Sequence, residues 1–353
     1  MKANLSIFLI ILGSTNIFCQ KNNMNELIFK SVSEIIGHYH KIYTDLHMNP
    51  ELSMMEKRTS AIMADNLEKL GFETTRGIGG HGVAGIFVNG NGKTVMLRTD
   101  MDALPVKETT GLPYASTVVM KDMNGRETPV MHACGHDLHM SVWLGTLQTL
   151  IRMKDHWSGT LLAVAQPAEE GMRGAEAMLR DNLYSRLRVP DCALCYHVSA
   201  DLPAGSIGYF PGPIFAGVSS AQITVYGIGG HGAMPHNTID PVVIAARIIL
   251  DIQTIVSREI NPVKPAVITV GAINGGTRAN VIPDEVKMLL TIRYFEESVL
   301  NTIRESLINI TRGAGIAAGL PEDKMPLVTF SSEADLPVSN DPQLVMNCVR
   351  SMS

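Results

Sequence analysis

The chain has 353 residues, 45% of them hydrophobic and 18% charged, and a formal net charge of -5. That length suggests two domains, and the apolar fraction suits packed cores rather than disorder. No block of Lys or Arg marks a nucleic-acid surface, so the expected partners are small molecules or a second copy of the chain.

Lys2 precedes an apolar run, Leu5 to Phe18, broken by Gly13, Ser14 and Asn16. The run is too short for a bilayer, which needs about 20 residues. It reads as a secretory signal over residues 1–19, removed near Cys19-Gln20, so the chain is expected to be exported to a periplasm or medium, without a stable membrane span. Lipid anchoring at Cys19 is the lesser alternative, because the preceding Phe18 is bulky. Beyond the signal remain Cys134, Cys192, Cys195 and Cys348, too few for a disulfide scaffold. Cys192 and Cys195 lie in an apolar stretch without a second such pair, and are expected to pack in a core.

Asn25 to Leu46 carries apolar residues at helical spacing, and its histidines His38, His40 and His47 read as solvent-facing or capping. Lys57 to Leu70 is a second helix, ended by Gly71. Gly82 to Val88 and Thr94 to Arg98 read as strands joined in a hairpin by Asn89-Gly90-Asn91-Gly92. Asp100-Met101-Asp102 ends the second of them, where turn or capping carboxylates are common. Leu138 to Met153 is an amphipathic helix, Leu161 to Gln166 a buried strand and Ala193 to Tyr196 another. Strands at Ser220–Tyr226, Ala266–Val270 and Asp284–Tyr294 alternate with helices at Pro241–Glu259 and Ser298–Gly313, an antiparallel pattern. Pro342 to Arg350 starts a last helix.

Chemistry concentrates at the ends of these elements. In His132-Ala133-Cys134-Gly135-His136-Asp137 a thiol and an imidazole two positions apart can turn onto one ion if the backbone bends at Gly135. The strand Leu161–Gln166 delivers Pro167-Ala168-Glu169-Glu170-Gly171, and two adjacent carboxylates there are costly without a cation. Ala193–Tyr196 delivers His197 in the same way. Ligands at the carboxyl ends of neighbouring strands are where open α/β sheets place their chemistry. His132 and His139 flank the site, either supporting it or holding the motif in place. His231 sits in a flexible Gly-rich loop and by itself reads as a solvated histidine, as Arg278 reads as a solvated arginine.

Together with Gly230-His231-Gly232-Ala233-Met234-Pro235-His236 and Asn280-Val281-Ile282-Pro283-Asp284, these motifs resemble the M20 family of metallopeptidases. The branch that fits is the amidohydrolases that cleave N-acyl amino acids, such as hippurate and auxin-conjugate hydrolases. The resemblance implies an α/β fold: a mixed-sheet, zinc-peptidase-like catalytic domain over residues 24–215, with a smaller α+β lid and dimerisation domain inserted at 216–332. Residues 333–353 would return to the first domain. It implies a divalent cofactor, two ions of zinc, or else of manganese, cobalt or nickel, bound by Cys134, His136, Glu170 and His197. Glu169 would be the general base for a metal-activated water, and Asp102 the supporting carboxylate, with Asp100 where the wider family has a ligand His. His231, from the partner of a homodimer, and Asn280 would contact the substrate. The family also supplies a histidine ligand near its C-terminus, after a Gly-Glu-Asp-Phe-like segment, whereas the last histidine here is His236. The chain therefore reads as a fragment or truncated product, and an inactive homologue with a partial metal site is the alternative to an enzyme.

Overall fold

The computed structural model describes residues 8–171, 173–331 and 335–352, with side chains from Met24 onward. Of the leader expected over residues 1–19, residues 1–7 lie outside the described residues; from Phe8 the backbone is helical. Among the described residues no helix is long and apolar enough to cross a membrane.

The chain divides into two compact units, Met1–Asp201 and Leu202–Ser353. The first begins with helices α1 (Phe8–Met48) and α2 (Lys57–Lys69), followed by strands β1 (Glu73–Ile78), β2 (Gly82–Asn89) and β3 (Thr94–Asp100). A small hairpin of β4 (Val119–Lys121) and β5 (Glu127–Pro129) precedes α3 (His136–Arg152) and β6 (Gly159–Gln166). Helices α4 (Gly174–Arg180) and α5 (Leu183–Arg186) lead to β7 (Cys192–Leu194).

The sheet order is β1-β2-β6-β3-β7, with β3 parallel to both β6 and β7, and β2 antiparallel to β6. β6 is central because it is apolar on both faces. Leu161, Ala163 and Ala165 join Leu46, Met63, Leu67, Trp143 and Leu147 in the core under α1, α2 and α3. Val164 faces the opposite layer, with Ile78, Met178 and Leu183. This corrects the hairpin expected at Asn89-Gly90-Asn91-Gly92. The loop does link β2 to β3, but β6 lies between them, since the most continuously apolar strand gains most from a neighbour on each side. The glycines serve the crossing itself: a Cβ on Gly92, at φ +155°, would sit 2.8 Å from the Ser158 carbonyl oxygen.

β7 is an edge strand and ends at Leu194, short of the expected Tyr196. With a single neighbouring strand it buries little, so Cys195 is exposed and Cys192 half-buried rather than packed in a core.

The second unit contains β8 (Gly212–Phe215), β9 (Gly217–Tyr226), β10 (Gly230–His231), α6 (Pro241–Thr254), β11 (Ala266–Asn274) and β12 (Val281–Ile282). It continues with β13 (Glu285–Tyr294), α7 (Glu297–Ala317), β14 (Leu327–Phe330), β15 (Val338–Asn340) and α8 (Pro342–Met352). Its antiparallel sheet, β11-β13-β9-β14, shows the alternation expected of a half-buried sheet. Val286, Met288, Leu290, Ile292 and Tyr294 of β13 point inward, onto Ile244, Ile248 and Ile252 of α6 and Ile303 and Leu307 of α7. The expected entry into an inserted domain, Ala216, falls between β8 and β9, and β8 pairs with β15 near the expected exit. Ser332, at that exit, lies outside the described residues.

Candidate metal centre

The three parallel strands end on the same side, and the donors follow their ends. Asp100 closes β3, Glu169 and Glu170 follow β6, and His197 follows β7. Gly135, at φ +80°, is the residue before α3 and makes the bend that sets Cys134 and His136 around the helix start. Cys134 Sγ lies 3.3 Å from His197 Nε2. His136 Nε2 lies 3.8 Å from Glu170 Oε1 and 4.0 Å from Glu169 Oε2. Two donor groups therefore share His136: Cys134, His136 and His197, and His136, Glu169 and Glu170, each with its ligand atoms within 4.8 Å of one another.

Hydrogen bonding sets the tautomers. His136 Nδ1 is 2.8 Å from the Asp102 carbonyl oxygen, which can only accept, so Nδ1 carries the proton and Nε2 presents a lone pair. His197 Nδ1 donates to the Val198 carbonyl at 2.7 Å, which likewise turns a lone pair on Nε2 toward Cys134. His136 Nε2 and Glu170 Oε1 are buried and have no hydrogen-bond partner within the protein. Buried polar atoms are rarely left so, and here both face the donor cluster. A thiol, two imidazoles and carboxylates fit a borderline divalent ion.

His139 joins Asp100 and His136 in a third candidate group but does not qualify as a ligand. Its Nδ1 donates to Asp100 Oδ1 at 2.8 Å and its Nε2 accepts from the Val198 amide at 3.0 Å, so neither nitrogen is available. It holds the segment behind His197 instead.

Residues 96–345 match the model of peptidase family M20/M25/M40. The chain belongs to this family. It is 37% identical to thermostable carboxypeptidase 2 of Saccharolobus solfataricus, over 87% of this chain and 78% of that one. It is 35% identical to hippurate hydrolase of Campylobacter jejuni, over 81% of this chain and 72% of the relative. Among solved structures, a Bacillus subtilis protein described as a dinuclear metal binding peptidase from the M20 family matches with a TM-score of 0.72 and 28% identity, covering 90% of this chain and 79% of that one. As a member of this M20 family, the protein is a metal-dependent hydrolase with the mixed α/β fold of its relatives.

The electrostatics of the M20 site call for a cation. Asp100 and Asp102 are both 1% exposed. Burial raises the Asp100 carboxyl, but hydrogen bonding to His139 and the charge of Arg98, whose Nη1 donates to Asp100 Oδ2 at 2.8 Å, outweigh it and leave it well below the usual range. Asp102 is lowered against its burial by hydrogen bonds from His136, Ser53 and the Glu169 amide. Glu169 is raised by burial, with Asp100 and Glu170 adding to the rise and Arg98 and His136 opposing it. Burial and the carboxylates of Glu170, Glu169 and Asp100 push the Cys134 thiol up to about 12. The thiol ionises only when a positive charge joins it.

The expected ligands Cys134, His136, Glu170 and His197, with Glu169, are thus brought together within the first unit. His231 and Asn280, in the second unit, are neighbours: β10 pairs with β12, and the Gly232 amide donates to the Asn280 carbonyl at 2.9 Å. Both are exposed.

Asp100 and Asp102 are buried site residues rather than turn carboxylates, and Asp102 accepts the Glu169 and Glu170 amides, each at 3.0 Å. His47 is a correction. Instead of facing solvent it is 6% exposed, bonded through Nδ1 to Asp137 at 2.5 Å and through Nε2 to Glu108 at 3.1 Å, because α1 packs against α3. Ser53 carried no signal in the sequence, since its partner Asp102 lies 49 residues on, whereas Arg98 sits two residues before its partner Asp100 on β3, a same-face spacing that could have pointed to it. His132 is 4% exposed with both ring nitrogens unpartnered, and its burial lowers it to about 4.

Proposed function

We propose that the chain hydrolyses the amide bond of N-acyl amino acids or similar small peptide-like substrates. The observation that carries this reading is the unpartnered, buried Nε2 of His136, flanked by Glu169 and Glu170 and adjacent to the Cys134–His197 pair. Cys134, His136, His197 and Glu170 would hold two divalent ions, zinc or else manganese, cobalt or nickel. When bound, such ions polarise a carbonyl and lower the pKa of water toward about 7.

Glu169 acts as the general base. Its side chain is 38% exposed, against 21% for Glu170, so it is the more open of the two to an incoming substrate. Its raised affinity for a proton suits a group that takes one from the attacking water and passes it to the leaving nitrogen as the C–N bond breaks. Asp102 fixes the backbone behind it. His231 and Asn280 contact the substrate's oxyanion or carboxylate, with a second copy of the chain supplying His231 in a homodimer. The second unit serves as the lid and dimerisation domain, and the apolar run before Cys19 directs export. The N-acyl reading draws on relatives such as the Campylobacter hippurate hydrolase.

The test is turnover of N-acetyl and N-benzoyl amino acids by zinc- or manganese-loaded protein, with Glu169→Gln beside it. The variant should keep its metal and lose about 100-fold or more of kcat. Undiminished hydrolysis by Glu169→Gln would remove Glu169 as the base. A metal-loaded wild type that turns over none of these amides would favour the non-catalytic alternative.

A further inference from the structure

The turn that carries the two glutamates is held from behind by a residue the mechanism does not use. Glu56 is 0% exposed, and its Oε1 accepts two backbone amides, Met54 at 3.0 Å and Ala168 at 2.7 Å. Both donors have positive φ, Met54 at 64° and Ala168 at 47°, and the described residues contain a single other non-glycine of this kind, Asn182. An L-residue in that region is strained and persists when its surroundings hold it there.

Ala168 is followed directly by Glu169 and Glu170, whose amides both go to Asp102. Three consecutive N–H groups therefore converge on two buried carboxyls, a nest-like arrangement that fixes the direction of the next side chains. Glu56 stands immediately before α2, the position from which a side-chain oxygen can cap the first amides of the helix. That task is done by Glu51, whose carboxylate accepts the Arg58 and Thr59 amides at 3.0 and 2.7 Å. Glu56 makes no side-chain cap and reaches across to the glutamate turn.

We propose that Glu56 is a positioning residue of the metal site: by accepting from Met54 and Ala168 it keeps Ala168 in the left-handed conformation that turns Glu169 and Glu170 toward His136. The inference rests on the metal-site reading above. It predicts a specific rescue. Glycine adopts positive φ without strain, so Ala168→Gly should restore what loss of the Glu56 carboxyl takes away, whereas a general packing defect would not respond.

The experiment is cobalt(II) titration of the full chain followed by visible absorption, with kcat and KM measured in parallel. Glu56→Gln, which retains an acceptor oxygen, should keep the wild-type spectrum and affinity. Glu56→Ala should weaken cobalt binding by about tenfold or more and lower kcat more than it raises KM. Adding Ala168→Gly to Glu56→Ala should recover most of the affinity. Wild-type affinity and spectrum in Glu56→Ala, or no recovery in the double variant, overturn the proposal and leave the metal reading standing. A wild type that binds no cobalt overturns both. Should Glu56→Ala not fold, Glu56→Asp decides: one methylene shorter, it cannot keep both amides, and undiminished cobalt binding in it refutes the role.

Discussion

The ring of His136 is gripped from one side by the backbone of Asp102, Nδ1 to carbonyl oxygen at 2.8 Å, while the carboxylate of the same Asp102 holds the amides of Glu169 and Glu170. One residue thus orients the imidazole of His136 through its main chain and the facing glutamates through its side chain. The two grips can be separated by mutation.

Asp102→Asn leaves the carbonyl in place but sets an NH2 group against an amide N–H. Bonds to a charged acceptor are worth about 1.5–3 kcal/mol, so the unfolding free energy should fall by roughly that amount. Activity should fall by about 10–100-fold with zinc still bound, because His136 keeps its tautomer. Zinc content by mass spectrometry and kcat of the same sample check this; unaltered activity would show that the side chain of Asp102 does not position the glutamates.

Zinc uptake should release a proton from Cys134. In the metal-free chain the thiol is held neutral at pH 7, since burial and the surrounding carboxylates push it up to about 12. Binding must then displace about one proton per chain from this residue, and the affinity should rise with pH. Calorimetry in two buffers of different ionisation enthalpy measures the release. The same release from Cys134→Ser would rule out the thiol as its source.

Stability should depend on pH through Glu56. Burial raises its carboxyl from 4.5 to about 7, against the pull of its amide donors. Because the folded value lies above the unfolded one, the contribution to stability is complete below about 4.5 and is lost as pH rises through about 7. Between pH 5 and 8 the metal-free wild type should lose stability relative to Glu56→Gln, with a ceiling of about 3 kcal/mol. Urea unfolding across that range tests it, and a gap that stays constant with pH would contradict the shift.

Gly135→Ala should damage the site more than its size suggests. The position has φ +80°, and a Cβ there would lie 2.6 Å from Val198 Cγ2, beside His197. The strain alone costs about 1–2 kcal/mol, and movement of Val198 should also weaken zinc binding. Gly111→Ala is the control, with φ +72° and nothing within 4 Å of the new Cβ. It should show the stability loss without the loss of zinc; equal zinc affinity in both variants would remove the link from Gly135 to His197.

Much of this was legible in the sequence by itself. The apolar run Leu161–Gln166 announced a buried strand, Gly135 a bend, and the segment Asp284–Tyr294 a strand of an antiparallel pattern, because each of these signals is carried by neighbouring residues. The motifs around Cys134, Glu169 and His231 carried the family. What the tertiary structure decided was everything that depends on partners distant in sequence. The placement of β6 between β2 and β3 overrode a strong local turn signal, since burial of its two faces outweighs the preference of four loop residues. The burial of His47 against Asp137, the choice of Nε2 as the open nitrogen of His136, and the exclusion of His139 by its two hydrogen bonds follow from contacts across 34 to 90 residues. Glu56 is the clearest case: locally it is an acid at a helix start, and only the fold, which brings it to Ala168 across 112 residues, makes it part of the site.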